Sequence, residues 1–467
     1  MSTECDHKGI GAYVRCVLLG LLVTAAPACR KFLNKVPDTS LQMPATVADY
    51  QSLMDENTIT SLSTPGLGPL YVDDYTEIAS SLWALDTPSA GLYTWEPLEF
   101  ENAIDASWNN PYAAIYTCNT VLAGIPELTG LTSTDQAAAS FVMGQAYFVR
   151  AFMYYHLEET FGRPYRPASA GVDLGVPLRI SENVDAQVPR ASVSTVYQQI
   201  VGDLQQAVRL LPVALQTNNR DRACRSAAYG LLARAWLTQQ DYIRAQAYAD
   251  SSLMLYDSLV DFNTIDSNSL HPFVVTGNSE VLFQCSANSY ELQWMPTTCV
   301  DSVLYSSYAP DDLRRVIFFA PAAFGITGYT FKGQYTGLVY LFSGVAVDEV
   351  LLIRAESKAW NGDAAGAMAD VNTLLAKRWR TGRFQPLGGT TAASALQIVM
   401  TEKRKETLFR EGRFYDMRRW NQYPFLVDTM RRVYNGITYT LLPGSVRYAF
   451  PIPLAEISLD GIKQNPE

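Results

Sequence analysis

Histidine is nearly absent: the chain has three in 467 residues, and His7 falls in the first thirty. No H-E-x-x-H, G-x-S-x-G, P-loop or dinucleotide fingerprint occurs either, so those catalytic classes have no footing. His156 lies within a helical pattern and reads as structural. Cys118, Cys224, Cys285 and Cys299, the cysteines beyond residue 29, lack metal-site spacing, and neither a metal nor a cofactor is expected. Basic charge is in deficit, with 36 Lys and Arg against 46 Asp and Glu. A net charge of −10 argues against a surface for nucleic acid. No Asp or Glu pair stands out by context, although glycoside hydrolysis needs only two carboxylates and stays open on spacing alone. Past the N-terminal segment no apolar run is long enough to span a bilayer.

What is present begins with that segment. Lys8 and Arg15 precede the apolar run Val17 to Val23, and Ala25, Ala26 and Ala28 lead into Cys29. This order reads as a secretory signal over 1–28. A cysteine directly after the small residues resembles a bacterial lipoprotein signal, which makes Cys29 the lipidated first residue and the lipid the only membrane anchor. Residues 29–50 are then a tether and first ordered segment, and 51–467 a single domain. An exported chain is able to oxidise its thiols. Cys285 and Cys299, in one loop-rich stretch, are the expected pair, and Cys118 is an expected buried thiol.

The stretch 347–378 organises the rest. Val347, Leu351, Ala355 and Ala359 recur every four residues and share a helix face. Asn361-Gly362-Asp363 breaks the pattern: Gly362 suits a left-handed helix end and Asp363 caps the next helix. Ala364, Ala367, Val371 and Leu374 continue on a second helix. A helix hairpin of about 34 residues with small facing residues is a tetratricopeptide-like unit. An x-x-Arg-Ala element recurs mid-helix at Arg150, Arg234 and Arg354, which predicts divergent repeats stacked as a scaffold over about 104–256 and 346–421. The fold class expected is therefore mostly α. Ser192 is the predicted cap of a helix ending before Pro212. Residues 395–421 are read as one helix. Its charges at Glu402, Lys405, Glu406, Arg410, Arg413 and Asp416 are assigned to local pairs three or four apart.

Residues 262–343 break with this. They are rich in Ser, Thr, Gly, Pro and aromatics, without helical period and with too few strand signals for a sheet of their own. A long irregular insertion on a rigid scaffold is where function is expected, and its aromatics argue against disorder.

Several blocks, in order along the chain, carry a family resemblance. They include Phe32-Leu33, Trp108, Cys118-Asn119, Arg150-Ala151, Phe161-Gly162-Arg163-Pro164 and Gly175-Val176-Pro177. Further on come Pro189-Arg190, Glu402-Lys403-Arg404, Glu411-Gly412-Arg413, Arg419-Trp420, Pro451-Ile452-Pro453 and Gln464-Asn465-Pro466. In these the chain resembles the SusD/RagB-type outer-membrane lipoproteins of Bacteroidetes. The resemblance implies a non-catalytic, surface-exposed nutrient-binding protein. It would capture an oligosaccharide or polysaccharide and pass it to a SusC-like TonB-dependent transporter. Arg30-Lys31 after Cys29 departs from the acidic residues that often mark surface display in that family. On this reading Trp83, Tyr93, Trp294, Tyr305 and Tyr308 are candidate stacking faces for sugar rings, with Asp73 and Asn288 as polar partners. The alternatives are a peptide-binding member of the same class, a tetratricopeptide scaffold that binds only proteins, and a glycosidase.

Overall fold

A computed structural model describes residues 44–467 except 79–84, 86, 97–105, 217–218, 275–276, 411 and 467. The compact unit spans Thr46–Glu467. In chain order it runs α1 (Val47–Met54), β1 (Tyr75–Glu77), α2 (Thr87–Thr94), α3 (Ala106–Gly124), α4 (Ser133–Phe161), β2 (Leu174–Pro177), β3 (Arg190–Ser192), α5 (Val193–Leu210), α6 (Arg225–Thr238) and α7 (Tyr242–Leu255). Next come β4 (Val281–Phe283), β5 (Thr298–Val300), α8 (Ser302–Ser306), α9 (Arg314–Ile317), β6 (Phe319–Pro321), β7 (Tyr329–Phe331) and β8 (Val345–Ala346). The chain closes with α10 (Val347–Trp360), α11 (Ala364–Leu375), α12 (Ala392–Glu406), α13 (Gly412–Trp420), β9 (Met430–Tyr434), β10 (Ile437–Leu441) and α14 (Leu454–Asp460).

The mostly α class and the helical repeats follow the sequence. Each helix from α3 to α7 packs on the next, α10 packs on α7 across the insertion, and α11 and α12 continue the stack. Ser192 accepts from the Thr195 N–H at 3.2 Å and starts α5 as expected. Gly362 takes φ +89° between α10 and α11, and Asp363 accepts from the Gly366 N–H at 2.8 Å. Side chains that cap the first turn satisfy amides that have no intrahelical partner.

The Arg–Ala elements have one job in three places. Arg150 on α4 gives a two-pronged bond to Asp203 on α5 at 2.8 and 2.7 Å. Arg234 on α6 holds Glu349 on α10 at 2.7 and 2.6 Å. Arg354 on α10 holds Asp370 on α11 at 3.0 and 2.8 Å. Paired planar forks of this kind fix the register of one helix on another.

Three expectations change. The helix read over 395–421 is two helices: Phe409 takes φ +54°, and the chain turns between α12 and α13. Its charges are mostly not local. Glu402–Lys405 at 3.0 Å and Asp416–Arg419 at 2.8 Å are local pairs, but Glu406 binds Arg314 and Arg378, Arg410 binds Asp348, Arg413 binds Asp73, and Asp416 also binds Lys403. The turn is what lets these side chains reach partners far away in sequence. In the insertion, β6 and β7 form a small antiparallel hairpin of their own, while β5 pairs with β1 and β4 with β8. Three-residue strands are too short to show an alternating pattern. Finally, Cys285 and Cys299 do not pair. Both are buried thiols, and Cys285 Sγ lies 3.3 Å from Ser63 Oγ. Cys118 is a buried thiol, as read, and burial pushes it up to about 12.

Candidate functional site

The irregular insertion encloses a cleft of about 380 Å³. One wall is the β6–β7 hairpin, in which Phe319 faces Phe331 in register. Phe331 is half-buried and packs on Phe409 at 5.0 Å and Phe318 at 5.7 Å, which fixes its ring at the cleft. The next residue, Lys332, donates to the carbonyls of Ser267 and Ser269 at 2.6 and 2.9 Å and so pins the opposing loop. Partial burial lowers the Lys332 ammonium from its usual value. Gln334 accepts from the Phe342 N–H at 3.0 Å, which orients its amide in the lining. Gln293, Thr298 and Thr330 add amide and hydroxyl groups, and Met295, Leu338 and Val339 add aliphatic surface. Among the described residues lining the cleft there is no Asp or Glu. The described lining thus offers a ring, amides, hydroxyls and aliphatic surface, with His271 and Lys332 as its titratable side chains.

The predicted site residues scatter. Tyr305 is half-exposed and stacks on Tyr329 with centroids 3.7 Å apart and 13° between planes. Arg315 covers the Tyr305 ring at 4.9 Å. Because Tyr329 and Phe331 lie on the same strand, Tyr305 stands beside the cleft wall. Tyr93 and Tyr308 are corrections. Tyr93 is fully buried: its hydroxyl accepts from the Glu77 N–H at 2.9 Å and its ring lies 4.4 Å from the Arg432 guanidinium. Tyr308, also buried, donates to the Lys405 carbonyl at 2.8 Å. Neither presents a face to a ligand. Asn288 is a third correction. It is buried and donates to the carbonyls of Thr64 and Ala106, both at 3.0 Å, tying the insertion to α3. Asp73 is committed to Arg404 and Arg413 at 3.1 and 3.3 Å. Burial alone would raise its carboxyl; the two arginines outweigh that and lower it. Trp83 and Cys29 lie outside the described residues. Trp294 ends a short 3₁₀ turn, Glu291–Trp294, and its side chain lies outside them too.

Phe331, Phe409 and Gln334 were not singled out by sequence. Nothing local distinguishes them from core; only the hairpin and the turn after α12 turn them toward one space. The aromatics of 71–95 mislead for the opposite reason. Tyr75, Tyr93 and Trp95 surround Arg432 at 4.3, 4.4 and 4.8 Å, forming a buried cation cage.

Residues 31–237 match a family model described as starch-binding associating with outer membrane, and residues 348–467 match the SusD family model. A SusD-like protein P2 of Formosa agariphila is 28% identical over 382 residues, which cover 68% of this chain and 71% of that protein. The fold is shared with a SusD superfamily protein of Bacteroides thetaiotaomicron at TM-score 0.74 and 20% identity, over 90% of this chain and 100% of that one. It is shared as well with surface glycan-binding protein A of Bacteroides fluxus at TM-score 0.67 and 19% identity, over 91% and 100%. Among the described residues no helix is long and apolar enough to cross a membrane. Two family models that together span both halves of the helical scaffold, with a curated relative and a shared fold, place this chain in the SusD family.

Proposed function

We propose that this protein captures a saccharide in the cleft of its 262–343 insertion and does so without chemical conversion. The observation that carries the reading is the cleft's composition: the Phe331 ring held at its wall beside the oriented Gln334 amide. A flat aromatic face takes the C–H face of a pyranose, and amides take its hydroxyls. The printed name of the Bacteroides fluxus neighbour, a surface glycan-binding protein, supports the ligand class. Tyr305 with Tyr329 would extend the platform for a longer chain. Residues 1–28 act as the export signal, Cys29 carries the lipid that anchors the chain at the outer-membrane surface, and a TonB-dependent transporter receives the cargo.

The aliphatic share of the lining, Met295, Leu338 and Val339, favours a peptide as the second reading. Phe331→Leu separates the two, since it keeps an apolar side chain of similar bulk but removes the flat ring. Saccharide affinity is expected to fall about three- to tenfold, the worth of one aromatic face, while the chain still folds with a melting temperature lowered by a few degrees at most for the lost ring contacts with Phe318 and Phe409. Titration calorimetry reads it. An unchanged saccharide affinity removes the cleft from the account, and heat with peptides alone moves the protein to the second reading.

A further inference from the structure

The titratable side chains among the described cleft lining, Lys332 and His271, are both basic, in a chain whose net charge is −10. Lys332 is half-buried, and two of its three N–H groups go to the Ser267 and Ser269 carbonyls. Those acceptors are neutral dipoles. They hold the ammonium in place without cancelling its charge, and they leave one N–H for the cleft. Asp266, exposed on the same loop, attracts Lys332 but forms no ion pair with it; its Oδ1 accepts from the Asn268 N–H at 2.9 Å. The loop also fixes the second basic group. Ser269 Oγ accepts from the His271 N–H at 3.1 Å and donates to the His271 carbonyl at 2.8 Å. One turn therefore carries both an anchor of Lys332 and the exposed His271.

The carboxyl that touches this lining does not oppose them. Glu77 is buried behind Thr298. Thr298 Oγ1 lies 2.9 Å from Glu77 Oε2 and 2.6 Å from the Leu292 carbonyl. A hydroxyl has one proton and cannot serve two acceptors. Both bonds form together when Glu77 is the neutral acid, donating to Thr298 while Thr298 donates to Leu292. Burial acts the same way, raising the Glu77 carboxyl above its usual range. Beside the cleft the basic pattern recurs: Arg315, over the Tyr305 ring, donates to the Tyr305 hydroxyl and the Tyr308 carbonyl, both at 3.3 Å and both neutral. Fixed cations with neutral partners favour an anion, and more so in a partly desolvated cleft.

We propose that the saccharide taken by this cleft is anionic, with a sulfate ester or carboxylate of the sugar held between Lys332 and His271 while its ring lies on Phe331. This rests on the saccharide reading and names the class of sugar. Native gels of the full chain, cast with matched pairs, test it: dextran sulfate against dextran, and polygalacturonate against its methyl ester. At least one acidic member should retard the chain more than its neutral counterpart, and which pair does so tells sulfate from carboxylate. Lys332→Gln keeps a donor for the Ser267 and Ser269 carbonyls but removes the charge. It should lower the preference for the acidic member about tenfold, the worth of one charge-assisted hydrogen bond, read by calorimetry. Lys332→Arg should keep the preference. Retardation by neutral members alone overturns the proposal and leaves the saccharide reading standing. Equal retardation by both members of each pair, or a preference untouched by Lys332→Gln, also overturns it. Migration unchanged in these gels and with every other polysaccharide overturns both readings together.

Discussion

At the residue scale, Glu158 shows why the strongest motifs of this chain are structural. It sits fully buried on α4, and its carboxylate accepts from the Val176 N–H at 2.9 Å. A Cβ on Gly175 would lie 2.7 Å from that carboxylate, so the glycine of Gly175-Val176-Pro177 leaves the room it needs. Arg190 donates to the Gly175 carbonyl at 2.6 Å, and Asn465 to the Phe161 carbonyl at 2.8 Å. Blocks that are hundreds of residues apart in sequence therefore meet at one knot. Their order was legible, but their purpose was not, because sequence does not show which carbonyl an arginine will reach. Burial pushes the Glu158 carboxyl up to about 8, against the pull of Arg418 and Arg190. Its folded pKa thus exceeds the unfolded value of 4.5. Between those values the folded chain keeps a proton that the unfolded chain has released, so stability falls as pH rises through that window. Glu158→Gln should remove this fall. Its stability relative to the parent should improve from pH 5 to pH 8 by on the order of a few kcal/mol, read by denaturant titration at both pH values. A difference that stays flat with pH would contradict the assignment.

At the scale of elements, the contact of α10 with α12 and α13 rests on Glu356. Its carboxylate forms an ion pair with Arg419 at 2.6 Å and accepts from Trp420 at 2.9 Å and Lys403 at 3.1 Å, all buried. Burial would raise this carboxyl, but Arg419 and Lys403 outweigh it and hold it at about 2. Because the folded value lies below the unfolded one, the contribution is complete above about pH 4.5 and is lost as pH falls through 2. Glu356→Gln leaves the buried Lys403 and Arg419 to share the single carboxylate of Asp416 and should cost about 3 kcal/mol, read as a lowered denaturation midpoint at neutral pH. A loss below about 1 kcal/mol, the scale of an exposed pair, would show that the knot does not hold these helices. The sequence supports both helices but not the turn between them. Charges three and four apart satisfy a helical reading, and only the distant partners Glu356, Asp348 and Arg314 explain why the chain must turn.

At the scale of the molecule, the stack was legible because its signals are local and repeated: alanine faces, Gly362 between hairpins, and one arginine per unit. The site was legible only as a region. The aromatics of 262–343 divide between cleft and core according to contacts that span the chain, as Phe331 against Phe409 and Tyr308 against Lys405 show. The central claim is that a rigid helical stack holds a loop-built cleft for saccharide. Native electrophoresis of the full chain in gels cast with a panel of polysaccharides tests it most directly, with Phe331→Leu run alongside. The account predicts retardation of the parent by at least one polysaccharide and a smaller shift for Phe331→Leu. Migration of the parent unchanged in every gel would contradict it.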